Sequence, residues 1–165
     1  MWHPLLLEDS IFLHLEAPNA EVALTEMIAR FRAPGFSPSQ KSNLLETLLQ
    51  RERFGTTALG DGIAIPHCIF PGMESSFSCL GISRKGIPFP SLDGEPVYLM
   101  YMTVFPESGS AHAERFMVLR EAEMFLKDAF IRERLKISET PAEAYEMIMR
   151  EAAHFSTPYR LAGNQ

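Results

Sequence analysis

Val97–Phe105 reads VYLMYMTVF, a run of nine residues almost free of polar side chains. A run that short cannot cross a bilayer as a helix. As a strand it suits a position covered on both faces, because it keeps no side for water. Such a strand needs a helical layer above it and another below it, and the rest of the chain supplies both.

Before the run, Asn19 is a good helix N-cap, and Leu24, Met27, Ile28 and Phe31 follow at helical spacing until Ala33–Gly35, APG, stops the helix. A second helix starts at Ser37, with Pro38 in the first helical position and Gln40 completing a capping box. Its apolar stripe is Leu44, Leu45, Leu48 and Leu49, and Gly55 lies just past its end. The period then changes. GIAIP is extended, because the residue before a proline avoids the helical region. Ser76–Ser83, SFSCLGIS, alternates in parts and reads as a strand, and Leu92–Pro96, LDGEP, reads as a turn.

After the run, PESGS is a loop, and a long helix extends from about Ala111 to Lys127, carrying Phe116, Leu119, Met124 and Leu126 among charges. Asp128 marks a break before the short helical piece AFIRERL. A last helix opens with Thr140, Pro141 and Glu143, another capping box, and presents Tyr145, Ile148, Met149 and Ala152. The expected fold is α/β: a three-layer α/β/α sandwich with a mixed central sheet and helices on both faces. Residues 1–153 are expected to form one domain, with 154–165 as a loose tail.

At 165 residues, 46% of them apolar and 22% charged, the chain can build an ordinary core. A net charge of -6 argues against broad nucleic-acid binding. Cys68 and Cys79 have no metal-ligand spacing. With no visible signal peptide or membrane-spanning segment, a reduced cytoplasmic chain is the simplest expectation.

The chemistry concentrates at GDGIAIPHC, Gly60–Cys68. It is no nucleotide-phosphate loop, because no Lys-Ser/Thr follows and no helix begins there. Its His67 follows a rigid Pro66 at the end of a strand-like segment. One reading is a buried, inert histidine. The other is a nucleophile, since neutral imidazole can attack a phosphoryl group and become a phosphohistidine. That chemistry requires a fixed ring, an entrance, and cations to balance phosphoryl oxygens. None of the five histidines, His3, His14, His67, His112 and His154, pairs with another at HxxxH spacing.

RERFGTTALGDGIAIPH, Arg51–His67, resembles the active-site signature of the type 2 enzyme IIA proteins of the bacterial phosphoenolpyruvate-dependent phosphotransferase system. That family includes fructose, mannitol and nitrogen-regulatory members. The matching residues are Arg51, Glu52, Thr57, Gly60, Gly62, Ala64, Ile65, Pro66 and His67. The resemblance continues through Asp93, Pro96 and Val97, and again at His112; it spans about residues 5 to 153. It implies that His67 accepts a phosphoryl group from the histidine-containing phosphocarrier protein. It further implies that His112 is the second active-site histidine, contacting the group or orienting His67, and that Arg51 pairs with its oxygens. No cofactor or metal is expected. Ser110 is a plausible N-cap, which would place His112 in the first turn of a helix, where the helix dipole favours an anion and a neutral imidazole. Taken alone, His112 also reads as an exposed loop histidine and Arg51 as a helix-end cation.

The sequence departs from the family at Cys68, where glycine is frequent, at Ala113, where leucine is common, and in the added charge of Arg84 and Lys85. Ile69, Phe70, Pro71 and Met73 fit either an exposed docking patch or core beneath the site. Arg132, Arg134 and Lys136 read as a solvated helix face. The expected role is a freestanding regulatory carrier of the nitrogen type. The alternatives are a sugar-specific enzyme IIA passing the group to a transporter enzyme IIB, and a binding module switched by phosphorylation that touches kinases or channels. A metal-dependent hydrolase built on His67 and His112 is a further, distant reading. Neither nucleic acid nor direct membrane insertion is expected.

Overall fold

The computed structural model describes residues 1–32, 36–107 and 111–155, the side chains of 111 and 112 excepted. The APG stop, Ser110 and most of the expected tail lie outside the described residues. The strands are β1 (Leu6–Phe12), β2 (Ala58–Gly60), β3 (Ile63–Ala64), β4 (His67–Ile69), β5 (Phe77–Ile87) and β6 (Val97–Phe105). The helices are α1 (Ala20–Arg30), α2 (Pro38–Arg53), α3 (Ala111–Leu126), α4 (Ala129–Lys136) and α5 (Pro141–Phe155).

The strand order is β1-β5-β6-β3-β2, with β4 also pairing β6. The sheet is mixed: β5 and β6 run antiparallel, while β1 lies parallel to β5 and both β3 and β4 lie parallel to β6. The apolar run is its central strand. Met100, Met102 and Val104 enter the core beneath α1 and α2, whereas Leu99, Tyr101 and Phe105 enter the core beneath α3, α4 and α5. This period of two across a strand buried on both sides is what makes three layers.

Local chemistry sets the helix starts. Asn19 accepts the Val22 N–H at 2.9 Å. Ser37 and Gln40 form both bonds of the capping box. Asp128, read as a break, caps α4 by accepting the Ile131 N–H at 3.1 Å. At α5, Thr140 Oγ1 accepts the Glu143 N–H, but the Glu143 carboxylate reaches the N–H of Glu139, one residue before the expected partner. The α5 stripe is correspondingly centred on Ala144, Met147, Ile148 and Ala152, with Tyr145 and Met149 half-buried at its flank.

Two expectations change in detail, and one strand appears that the sequence reading did not include. In α3, Phe116 and Met124 are exposed, and Val118, Ala122, Phe125 and Leu126 form the buried face. The strand expected to end at Ser83 continues through Arg84 and Lys85 to Ile87, and Arg84 donates to the Ser138 carbonyl at 3.3 Å at the end of α4. The segment Leu6–Phe12 is a strand although Glu8 and Asp9 interrupt its apolar pattern. A register shift between Leu6 and Ile11 leaves Leu7–Asp9 outward, and Ser10 Oγ satisfies both the N–H and the carbonyl of Leu7.

Candidate functional site

The site is built on a strand that breaks and resumes. β3 pairs Ile63 with Leu99 and Ala64 with Met100; β4 pairs His67 with Thr103, Cys68 with Val104 and Ile69 with Phe105. The register is therefore unchanged across Ile65 and Pro66. Pro66 has no N–H for a ladder, but its carbonyl accepts the Thr103 N–H at 2.9 Å. The interruption thus stays on the sheet and delivers His67 at a defined place.

A tight turn precedes it. Gly60, Asp61 and Gly62 all have positive φ, at 94°, 56° and 75°. Asp61 and Gly62 form the two-residue connection from β2 to β3, where positive φ at both positions matches the twist of a hairpin. At Gly62 a Cβ would lie 2.7 Å from the Tyr98 ring. Asp93 holds the turn from outside. Its carboxylate accepts the N–H of Asp61 at 2.9 Å and that of Glu95 at 3.1 Å. These bonds hold the Asp93 carboxyl below its usual range. The Asp-x-x-Pro-Val pattern is thus a clamp on the site loop.

The His67 ring is half-buried. Its Nδ1 lies 2.9 Å from the Ile65 carbonyl oxygen. A carbonyl only accepts, so Nδ1 carries the proton and Nε2 is left with its lone pair. Burial pushes the imidazole pKa below 6.5; the Ile65 bond opposes this, Arg51 and Arg115 reinforce it, and Glu52 opposes it. Neutral, nucleophilic imidazole is favoured at neutral pH.

His67 opens into a cleft of about 410 Å³ lined by Arg51, Phe54, Cys68, Ile69, Arg115 and Leu119, among others. Arg51 comes from the last turn of α2, where it donates to the Gly55 carbonyl at 3.1 Å. The structure thus brings Arg51 and His67 to one cleft, as the sequence pattern suggested. Arg115 was not anticipated. It lies on α3, three residues after His112, a spacing that places the two on one helix face. That spacing was the available signal. His112 is the second residue of α3, and its side chain lies outside the described residues.

The segment after His67 divides between rim and core. Ile69 is 41% exposed and Phe70 is buried. Cys68 is buried in the core beneath α1 and α2, has no positive φ, and its thiol is pushed up to about 12 by burial. The backbone here does not require glycine, and the thiol packs as a small apolar group. Among the described residues, no group of three or more His, Cys, Asp or Glu side chains could hold a metal ion, and no helix is long and apolar enough to cross a membrane.

Comparison with known proteins bears on this arrangement. The family model described as phosphoenolpyruvate-dependent sugar phosphotransferase system, EIIA 2, matches residues 4–151. A nitrogen regulatory protein of Bradyrhizobium diazoefficiens is 32% identical over 144 residues, covering 87% of this chain and 92% of that protein. The fructose-specific EIIABC component of Bacillus subtilis is 31% identical over 111 residues, covering 67% of this chain and 17% of that one. Among solved structures, the nitrogen regulatory protein IIA-Ntr of Neisseria meningitidis superposes with a TM-score of 0.79 at 26% identity, covering 88% of this chain and 97% of that one. A mixed sheet between helical layers, a histidine held on an interrupted strand, and a family match over nearly the whole chain agree: the protein belongs to the EIIA 2 family of the phosphoenolpyruvate-dependent sugar phosphotransferase system, and is a phosphoryl carrier of the EIIA type.

Proposed function

We propose that His67 is the phosphoryl acceptor and that the group is carried on Nε2. The observation carrying this reading is the bond from Nδ1 to the Ile65 carbonyl, which leaves Nε2 unprotonated in a cleft that also holds Arg51. The donor is the phosphohistidine of the histidine-containing phosphocarrier protein. The Nε2 lone pair forms the new N–P bond as the donor's N–P bond breaks, and the departing nitrogen keeps its electron pair. Nδ1–H stays on the Ile65 carbonyl, which stabilises the positive charge that the ring acquires. Arg51, and Arg115 across the cleft, balance the phosphoryl oxygens. His112, at the start of α3, acts as the second histidine of the site.

Phe54 is 92% exposed and Ile69 41% exposed at the mouth of the cleft. This apolar rim around cations supports docking of a carrier protein. The role is regulatory and of the nitrogen type, in the cytoplasm, supported by the similarity to the Bradyrhizobium and Neisseria proteins. The fructose-specific relative supports a second reading, onward transfer to a transporter enzyme IIB.

The test is incubation with phosphoenolpyruvate, enzyme I and the carrier protein. One acid-labile phosphate per chain is expected, and none on His67→Ala. Full labelling of that variant, or no transfer from any cognate carrier, would sink the assignment. Adding candidate enzyme IIB proteins separates the two roles: a regulatory protein keeps its label, and a sugar-specific one loses it.

A further inference from the structure

Glu52 stands at the end of α2 beside Arg51, and its carboxylate makes two short bonds to one residue. Oε1 accepts the Thr57 N–H at 2.7 Å, and Oε2 accepts the Thr57 hydroxyl at 2.6 Å. Thr57 is 4% exposed, so water has little access to replace either bond.

The consequence follows from the ladder. β2 and β3 are antiparallel with Ala58 opposite Ala64, which places Thr57 opposite Ile65. Such a pair ordinarily exchanges two bonds, each N–H to the other's carbonyl. Here Ile65 N–H donates to the Thr57 carbonyl at 3.0 Å, but the Thr57 N–H turns to Glu52. The Ile65 carbonyl, relieved of its strand partner, accepts from His67 Nδ1 at 2.9 Å. One carboxylate thereby opens the hairpin by one bond and makes the freed acceptor available to the imidazole.

We propose that Glu52 is a positioning residue for His67: by capturing the Thr57 amide it reserves the Ile65 carbonyl for Nδ1, and so sets which ring nitrogen is free to take the phosphoryl group. Without the carboxylate, the Thr57 N–H closes onto Ile65 as an ordinary hairpin bond and competes with Nδ1 for the carbonyl, which weakens the hold on the ring. The ring then exchanges between tautomers, and either nitrogen can react. This rests on the reading of His67 as phosphoryl acceptor for its catalytic meaning, but the link from Glu52 to the ring is measurable without any transfer.

The experiment is ¹⁵N NMR of the His67 imidazole in the unphosphorylated protein, above its pKa, for wild type, Glu52→Ala and Glu52→Gln. Wild type is expected to show the Nδ1–H tautomer, and Glu52→Ala a mixture. Glu52→Gln should restore the wild-type spectrum, because its amide oxygen accepts the Thr57 N–H and its NH₂ can donate to the Thr57 hydroxyl. Phosphorylation of Glu52→Ala by the carrier protein should fall about 10- to 100-fold, the usual cost of losing an orienting partner. Its product should be a mixture of Nδ1 and Nε2 phosphohistidine. If Glu52→Ala does not fold, Glu52→Leu, which fills the space without an acceptor, is measured in its place. An unchanged tautomer in a folded variant overturns the proposal. So does loss of folding in both, which makes Glu52 a requirement of the fold and not of the ring. A shifted tautomer in a protein that never accepts phosphate would instead overturn the function and leave the link from Glu52 to His67 standing.

Discussion

The centre of the sheet and its broken strand use the same backbone chemistry to opposite ends. Along β5 and β6 the pairing is close to continuous, from Phe77 opposite Val104 to Ile82 opposite Leu99, and the β6 side chains fill both cores. Along β3 and β4 the ladder is interrupted at Ile65 and Pro66, and the Ile65 carbonyl, left by its β2 partner Thr57, holds a half-buried histidine. Even the polar groups differ in use. At the centre, the Ser78 hydroxyl lies 2.6 Å from the Tyr101 hydroxyl and 3.1 Å from that of Thr103, and Tyr101 donates on to the Trp2 carbonyl at 3.4 Å, a buried network that serves packing alone. At the break, one bond taken from the β2–β3 hairpin orients a side chain toward the cleft. Stability resides where the ladder is complete, and chemistry where one bond of it has been redirected.

The comparison breaks most visibly if substitutions in the two regions have interchangeable effects. His67→Ala is expected to abolish phosphorylation while costing only about 1 kcal/mol of stability, the worth of the bond to Ile65. Leu99→Ala, at a fully buried central position, is expected to cost about 2–5 kcal/mol in urea unfolding while its folded fraction still accepts phosphate. Arg51→Ala tests the cation: transfer should fall about 100-fold, the scale of losing one charge-stabilising donor. Its unfolding free energy should change by only about 1 kcal/mol, the worth of the bond to Gly55.

Next in size is the effect of pH. The His67 pKa is lowered from 6.5 in the folded protein, so the unfolded chain binds the proton more readily in the window just below 6.5. Stability contributed by His67 is present above that window and is lost as pH falls through it. His67→Ala should flatten this part of the stability profile. The acid limb of phosphorylation, where Nε2 becomes protonated, should lie below 6.5; a limb above that value would contradict the burial of the ring. The smallest effect is expected at Cys68. Its thiol, with a pKa of about 12, should resist alkylation at pH 8 until the protein unfolds, and Cys68→Ala should leave transfer within about twofold.

Legibility in the sequence followed the range of the interactions involved. The capping box at Ser37 and Gln40 was readable because both of its bonds close within three residues. The doubly buried β6 was readable from composition alone. β1 was hidden because its register shift places Glu8 and Asp9 where an alternating strand would show a pattern. β4 was hidden because its three residues gain strand character only by lying against β6. Phe116 and Met124 were counted with the apolar positions of α3, but the face that packs is set by the sheet beneath. At the site, Arg51 and His67 came from a motif in one stretch of chain. Arg115 comes from another layer and is found only where α2, β4 and α3 meet.

By itself, the sequence determined the kind of element each segment forms and the residue types able to handle a phosphoryl group. Periodicity, caps and a Pro-His step are local properties, and they act before any long-range contact exists. Only the tertiary structure decided which nitrogen of His67 carries the proton. That depends on Glu52 reaching Thr57 and on Thr57 lying opposite Ile65. A hydrogen bond is directional and short-ranged, so a ring's tautomer is set by where the folded chain places an acceptor.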